Sequence, residues 1–257
     1  MSVEIAAAYG ASATAWARGP DAMYRRLADA MLARSPVPPA GARVLDLGAG
    51  AGACTRAALA AGAGSVVATD LSAAMVRALT PAQVPRVAAD AAALSFADGA
   101  FDLVTAACVL GHLPDPVRAL REAGRVAPAL VASAFLIGWT HPAKSAVDDA
   151  MRAFGYAPPT WYARMKSTTE PLVDDPDRLR GLAIAAGWAE PVVDVVHVRS
   201  GLRTPGELAA WRLGMAHLAP FLASLAPGDR VDAQRAAERA VVGLDEPVIP
   251  LVVLSAR

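Results

Sequence analysis

The chain has 257 residues, 55% hydrophobic and 19% charged, which suffices for one sizeable core with or without a cap. Its formal net charge is zero, so no basic field marks it for nucleic acid or for a membrane surface. Cys54 and Cys108 make no disulfide framework, no Cys/His cluster has zinc spacing, and no uncharged apolar run reaches membrane-spanning length. The first residues carry Glu4 and lack the basic-then-apolar pattern of a signal peptide, so a cytoplasmic setting is expected. A monomer or homodimer is expected.

Residues 3–18 read as an amphipathic helix with Ile5, Tyr9 and Trp16 as its large side chains, broken at Gly19-Pro20-Asp21. A second helix over 21–34 repeats Met23, Tyr24, Leu27, Met31 and Leu32 at helical spacing and ends at the stiff segment Ser35–Pro39. These two helices suit either a packing brace or a lid. A strand over 43–47 runs into glycines and a helix over 53–62. A second strand over 65–69 reaches Asp70, and Ser72 opens a helix. A third strand is expected to end at Asp90, and a fourth covers 101–107. Pro116 suits the first turn of a helix over 116–126, and a fifth strand spans 129–137.

An insertion over 142–170 holds a helix from Ala143 to Phe154 and the aromatic pair Trp161-Tyr162. A helix over 174–186 and a β-branched strand over 192–198 follow. Thr204-Pro205-Gly206-Glu207 is a helix-opening box, followed by a short piece with Phe221 and Leu225 and a polar helix over 228–243. A last strand covers 247–254. Strands alternating with helices predict a doubly wound α/β sheet in one domain, because no repeat or low-complexity linker divides the chain.

The glycine stretch after the first strand is the main functional signal. Glycines tolerate positive φ and let backbone N–H groups reach a ligand. Gly48-x-Gly50-x-x-Ala53 fits a dinucleotide fingerprint, which leaves an NAD(P)-dependent oxidoreductase open. Asp46 argues the other way, since a carboxylate beside a pyrophosphate would repel it. Asp70, about twenty residues past the loop, suits two ribose hydroxyls in either ligand, or simply caps the next helix.

Asp46-x-Gly48-x-Gly50-x-Gly52 resembles motif I of class I S-adenosylmethionine-dependent methyltransferases. The run from Arg86 to Val104, with Asp90-Ala91, Leu94, Phe96, Asp98 and Phe101-Asp102, resembles that family's second signature, with Ser95 replacing its usual Pro. Gly111-His112-Leu113 resembles the segment after its fourth strand. The likeness is to the ubiquinone and menaquinone biosynthesis group, and it covers about residues 40–137.

The resemblance implies a Rossmann-like seven-stranded sheet, six strands parallel and the last antiparallel beside the fifth or sixth, with a helical cap. It divides the single domain into a lid (1–39), a cofactor core (40–137), a cap insertion (138–190) and a C-terminal part (191–257). The cofactor would be S-adenosylmethionine, contacted by Tyr9, Asp46, Gly48, Ala49, Gly50, Asp70, Leu71, Met75, Asp90, Ala91, Ala107 and His112. A small-molecule acceptor of secondary metabolism would meet Trp16, Trp139, His141, Trp161, Tyr162 and Trp211. His112, His141 and His217 are candidate bases, although His112 suits cofactor lining or a structural role equally well. No metal is implied. A protein that binds the cofactor without methylating is the other alternative.

Overall fold

The β-branched runs and Ala-rich segments resolve into one sheet in the computed structural model, which describes residues 2–257. Its strands are β1 (Arg43–Leu47), β2 (Ser65–Asp70), β3 (Arg86–Ala88), β4 (Leu103–Ala107), β5 (Leu130–Phe135), β6 (Val192–Arg199) and β7 (Val248–Ala256), in the order β3-β2-β1-β4-β5-β7-β6. β7 runs antiparallel to both neighbours, so it is inserted between β5 and β6 and leaves β6 at the edge. Asp194 and Arg199 on β6 put charge on that edge, which discourages further strand pairing.

Side-chain alternation sorts the central strands onto two cores. Val44, Leu103 and Val131 face α2 (Pro20–Leu32) and α3 (Ala53–Ala60) through Met23, Leu27, Met31 and Ala57. Leu45, Leu47, Val104 and Leu130 face α5 (Pro116–Val126) and α8 (Pro176–Ala185) through Leu120, Ala123, Leu179 and Ala183. Between them in sequence, α4 (Ala73–Ala78) is capped by Ser72 and packs on β2 and β3.

Three expected boundaries move. β3 stops at Ala88 because Asp90 turns the chain back, its Oδ1 accepting from the Ala92 N–H. β4 starts at Leu103, while Asp102 pairs sideways with the Arg43 guanidinium and backbone N–H. β5 ends at Phe135, because the Ile137 N–H leaves the sheet for the Asp174 carbonyl at 2.8 Å.

The cap is built from α1 (Ser2–Arg18), α6 (Pro142–Arg152), α7 (Thr160–Thr168), α9 (Pro205–Leu213), α10 (Ala219–Ser224) and α11 (Pro227–Ala240). α6, α9 and α11 pack on one another, and α1 touches α7, α9 and α10. Thr204 and Glu207 form the expected capping box on α9. Arg212 and Asp148 make a bidentate bridge at 2.9 and 2.7 Å that ties α9 to α6. Two sequence-based divisions change here. α2 carries six buried residues and belongs to the core rather than the lid, and α8 packs on β6, β7 and α5 rather than on the cap. Among the described residues no helix is long and apolar enough to cross a membrane.

Candidate active site

Two hollows open at the carboxyl ends of the strands, where doubly wound sheets place ligands. The first lies over the glycine loop. Gly48 (φ 66°) and Gly52 (φ 96°) occupy the left-handed region, and Gly52 caps α3. A Cβ on Gly48 would run into the Val109 side chain, so Gly48→Ala adds a steric clash to backbone strain. It is expected to cost about 1–3 kcal/mol of stability. Thermal unfolding followed by circular dichroism would show this, and an unchanged midpoint would contradict it.

Asp70 closes the loop. Its Oδ2 accepts from the Gly50 N–H at 3.0 Å and its Oδ1 from the Ser72 N–H at 2.8 Å. Burial raises its pKa, opposed by these two amide bonds. The wall also holds Tyr9, Ala49, Leu71, Met75, Asp90, Ala91 and Ala107, together with Gly48, Gly50 and His112. Thus eleven of the twelve expected cofactor residues face one hollow.

Asp46 is the exception. It is 1% exposed and absent from that wall. Its carboxylate accepts from Thr55 Oγ1 at 2.6 Å and Thr105 Oγ1 at 3.0 Å, so it bonds neither the cavity nor the loop amides. Asp46 therefore pins β1, α3 and β4 together beneath the loop. Burial pushes its pKa from 3.8 up to about 6, despite the two hydroxyls that favour the ionised form. Across that window the folded chain holds a proton that the unfolded chain releases, so this group makes stability fall as pH rises. Asp46→Asn should remove that slope. Denaturant unfolding of both proteins across the window measures it, and parallel pH profiles would contradict the assignment.

The second hollow, of about 340 Å³, lies beyond β5 under the cap. It shares Tyr9, Tyr24, Cys108 and His112 with the first. At this common wall the Tyr9 hydroxyl and His112 Nε2 are hydrogen-bonded at 2.8 Å. Burial lowers the His112 pKa, which keeps the ring neutral, and raises that of Tyr9. Trp139, Trp161, Tyr162, Trp211 and His217 line the second hollow. Tyr162 stacks on His217 with ring centroids 4.0 Å apart. Burial, then Arg212, Lys166 and Lys144, push the His217 pKa down, which keeps the ring neutral at pH 7.

Two expected acceptor residues fall elsewhere. His141 lines neither hollow, because its Nδ1 accepts from the Ala143 N–H and caps α6. Trp16 is buried on the loop side, against Tyr9, Tyr24, Ala51 and Met75. The sequence reading missed Tyr24, Phe135, Lys144, Lys166, Glu170 and Arg212 in the second wall. Tyr24 and Phe135 look like ordinary core positions in their helix and strand, and only the folded sheet brings them to a cavity. Among the described residues no three His, Cys, Asp or Glu side chains are grouped to hold a metal.

Residues 45–128 match the family model described as a methyltransferase domain. The match covers about a third of the chain and takes in β1 to the end of α5. A demethylmenaquinone methyltransferase of Mycobacterium sp. (strain KMS) is 40% identical over 122 residues, which is 48% of this chain and 51% of the relative. The chain thus spans about half the length of the curated relatives it matches. A protein of Anabaena variabilis ATCC 29413 assigned as a methyltransferase from an antibiotic biosynthesis pathway is similar in structure. Its TM-score is 0.62 at 18% identity, over 90% of this chain and 96% of that one. The phosphoethanolamine N-methyltransferase 2 of Haemonchus contortus, solved with phosphomonomethylethanolamine and S-adenosylhomocysteine, gives a TM-score of 0.53 at 18% identity, over 88% of this chain and 51% of that one. At such identities the structures speak for the fold alone, a Rossmann-like sheet around the matched segment.

Proposed function

We propose that the chain transfers the methyl group of S-adenosylmethionine to a small-molecule acceptor. The observation that carries this is the pair of hollows divided by one polar wall. The loop-side hollow carries Asp70 and Asp90 but no Lys or Arg side chain. That lining suits a sulfonium cation with ribose hydroxyls and repels a pyrophosphate, which weighs against an NAD(P)-dependent oxidoreductase. Asp70 would accept from the ribose hydroxyls, Asp90 with the Ala91 amide would meet the adenine edge, and the Gly48–Gly50 amides would approach the amino-acid end. The aromatic faces of Tyr9, Trp16 and Tyr24 would cover a soft cation with little desolvation penalty.

When bound, S-adenosylmethionine supplies an already activated methyl group. The residues' work is then to align the acceptor nucleophile, exclude water and take up a proton if one is released. His112, neutral and at the wall common to both hollows, is positioned for that last task. Tyr9 orients it through their shared hydrogen bond. Trp139, Trp161, Tyr162 and Trp211 would hold the acceptor. We read the protein as a cytoplasmic enzyme of secondary metabolism, acting as a monomer or homodimer without metal, nucleic acid or membrane. Thermal-shift assays are expected to show stabilisation by S-adenosylhomocysteine and none by NAD(P)H. Stabilisation by NAD(P)H alone would overturn the reading. Binding without methyl transfer to any acceptor in a metabolite panel would favour a non-methylating protein.

A further inference from the structure

The second hollow has a charge pattern that its aromatic lining does not explain. The whole chain contains two lysines, Lys144 and Lys166, amid many arginines, and both line this cavity. Lys166 is paired with Glu170, and Arg212, also on the wall, with Asp148. Asp174, the other acid of the wall, is held by Arg178 at 2.7 Å. Lys144 makes no ion pair among the described residues. Its half-buried ammonium lies 4.1 Å from the centre of the Trp139 ring. The wall therefore carries three cations against two carboxylates, and the unpaired cation sits over an aromatic face. Desolvation first, then the other two cations, pull its pKa down to about 8, opposed by Glu170 and Asp148.

The surrounding wall is rich in flat aromatic faces, Phe135, Trp139, Trp161, Tyr162 and Trp211, suited to contact with a flat molecule. Trp139 is stacked on Phe135, 5.4 Å apart and 10° from parallel, and Tyr162 is stacked on His217. Three buried groups of the same lining lack partners: His112 Nδ1, the Trp211 ring N–H and His217 Nε2. The indole can only donate, so it asks for an acceptor oxygen, as the Lys144 ammonium does. We propose that the methyl acceptor is a flat aromatic carboxylate whose anionic group is held by Lys144. This rests on the methyl-transfer reading and narrows its substrate class.

Calorimetry on the full chain preloaded with S-adenosylhomocysteine tests it, with para-coumarate and its neutral amide as probes. The acid is expected to bind about tenfold tighter than the amide, the worth of one charge-assisted contact. Lys144→Met should bring that ratio to about one, and Lys144→Arg should keep most of it. A ratio near one in the native chain, a tenfold ratio surviving in Lys144→Met, or binding of neither probe overturns the proposal. The initial S-adenosylhomocysteine titration shows that each variant is folded. If the native chain fails to bind S-adenosylhomocysteine, the methyl-transfer reading falls, and the acid-to-amide ratio measured without it judges the carboxylate proposal alone.

Discussion

Asp70→Ala is expected to weaken S-adenosylhomocysteine binding by about 1.5–3 kcal/mol, more than tenfold in the dissociation constant. Two losses combine. The variant removes a charged acceptor for two ribose hydroxyls. It also releases the Gly50 and Ser72 N–H groups, which the carboxylate holds at 3.0 and 2.8 Å, so the loop and the start of α4 lose their common anchor. Asp70→Asn separates the two, because it keeps the side-chain volume and one acceptor oxygen but loses the charge. It should fall between the native chain and Asp70→Ala. Calorimetry at fixed salt is the measurement, with thermal unfolding run alongside. Native-like affinity in Asp70→Ala would remove Asp70 from the ribose site and leave it as a structural cap. Asp90→Ala should cost less, since a single amino hydrogen bond is at stake, and a larger loss than Asp70→Ala would reverse the two roles.

Deleting residues 2–18 should have the other large effect, abolishing turnover and weakening cofactor binding. α1 roofs both hollows. Tyr9 meets His112 at their common wall, and Trp16 packs on Tyr9 and Tyr24. Gly10 lets the helix lie close on α4, since a Cβ there would sit 3.0 Å from Ser72 Oγ. If α1 swings aside for cofactor exchange, the single-residue break at Gly19 between α1 and α2 supplies a joint. Hydrogen exchange in α1 is therefore expected to be fast in the free chain and slower with S-adenosylhomocysteine bound, while the sheet stays protected in both. Ile5, Ser12, Ala13 and Trp16 are buried, so the truncated chain should also melt at a lower temperature. Equal, slow exchange in both states, with a collapse of the sheet on deletion, would make α1 a fixed brace.

The readable parts of this protein were those with local causes. Glycines at 48, 50 and 52 need positive φ, and they mark the turn wherever the rest of the chain goes. Asp70 reaches the loop from the adjacent strand, paired with β1 in register, so a spacing along the sequence became a contact in space. Thr204 and Glu207 lie within one helical turn, and their capping box needed nothing else.

Tertiary structure decided whatever depends on which distant surfaces meet. Asp46 reads as a cofactor ligand from its position before the loop, yet Thr105, 59 residues away, captures it inside the sheet. His141 precedes a proline-started helix and spends its ring on that helix's free N–H group. β7 could join either neighbour by its composition, and it enters between β5 and β6 because its inward residues Leu251 and Val253 fill one core and Val252 and Leu254 the other. The acceptor hollow is the extreme case. Its wall combines α1, α2, the end of β5, α6, α7 and α9, and no periodicity along the chain encodes that meeting. The alternation of strands and helices, the glycine loop and the placing of Asp70 beside it were legible in the sequence, since each arises from backbone conformation or a neighbouring strand. The pairing of charges under the cap, and with it the isolation of Lys144, arises only when six separate segments pack, because an ion pair is defined by distance in space and not along the chain.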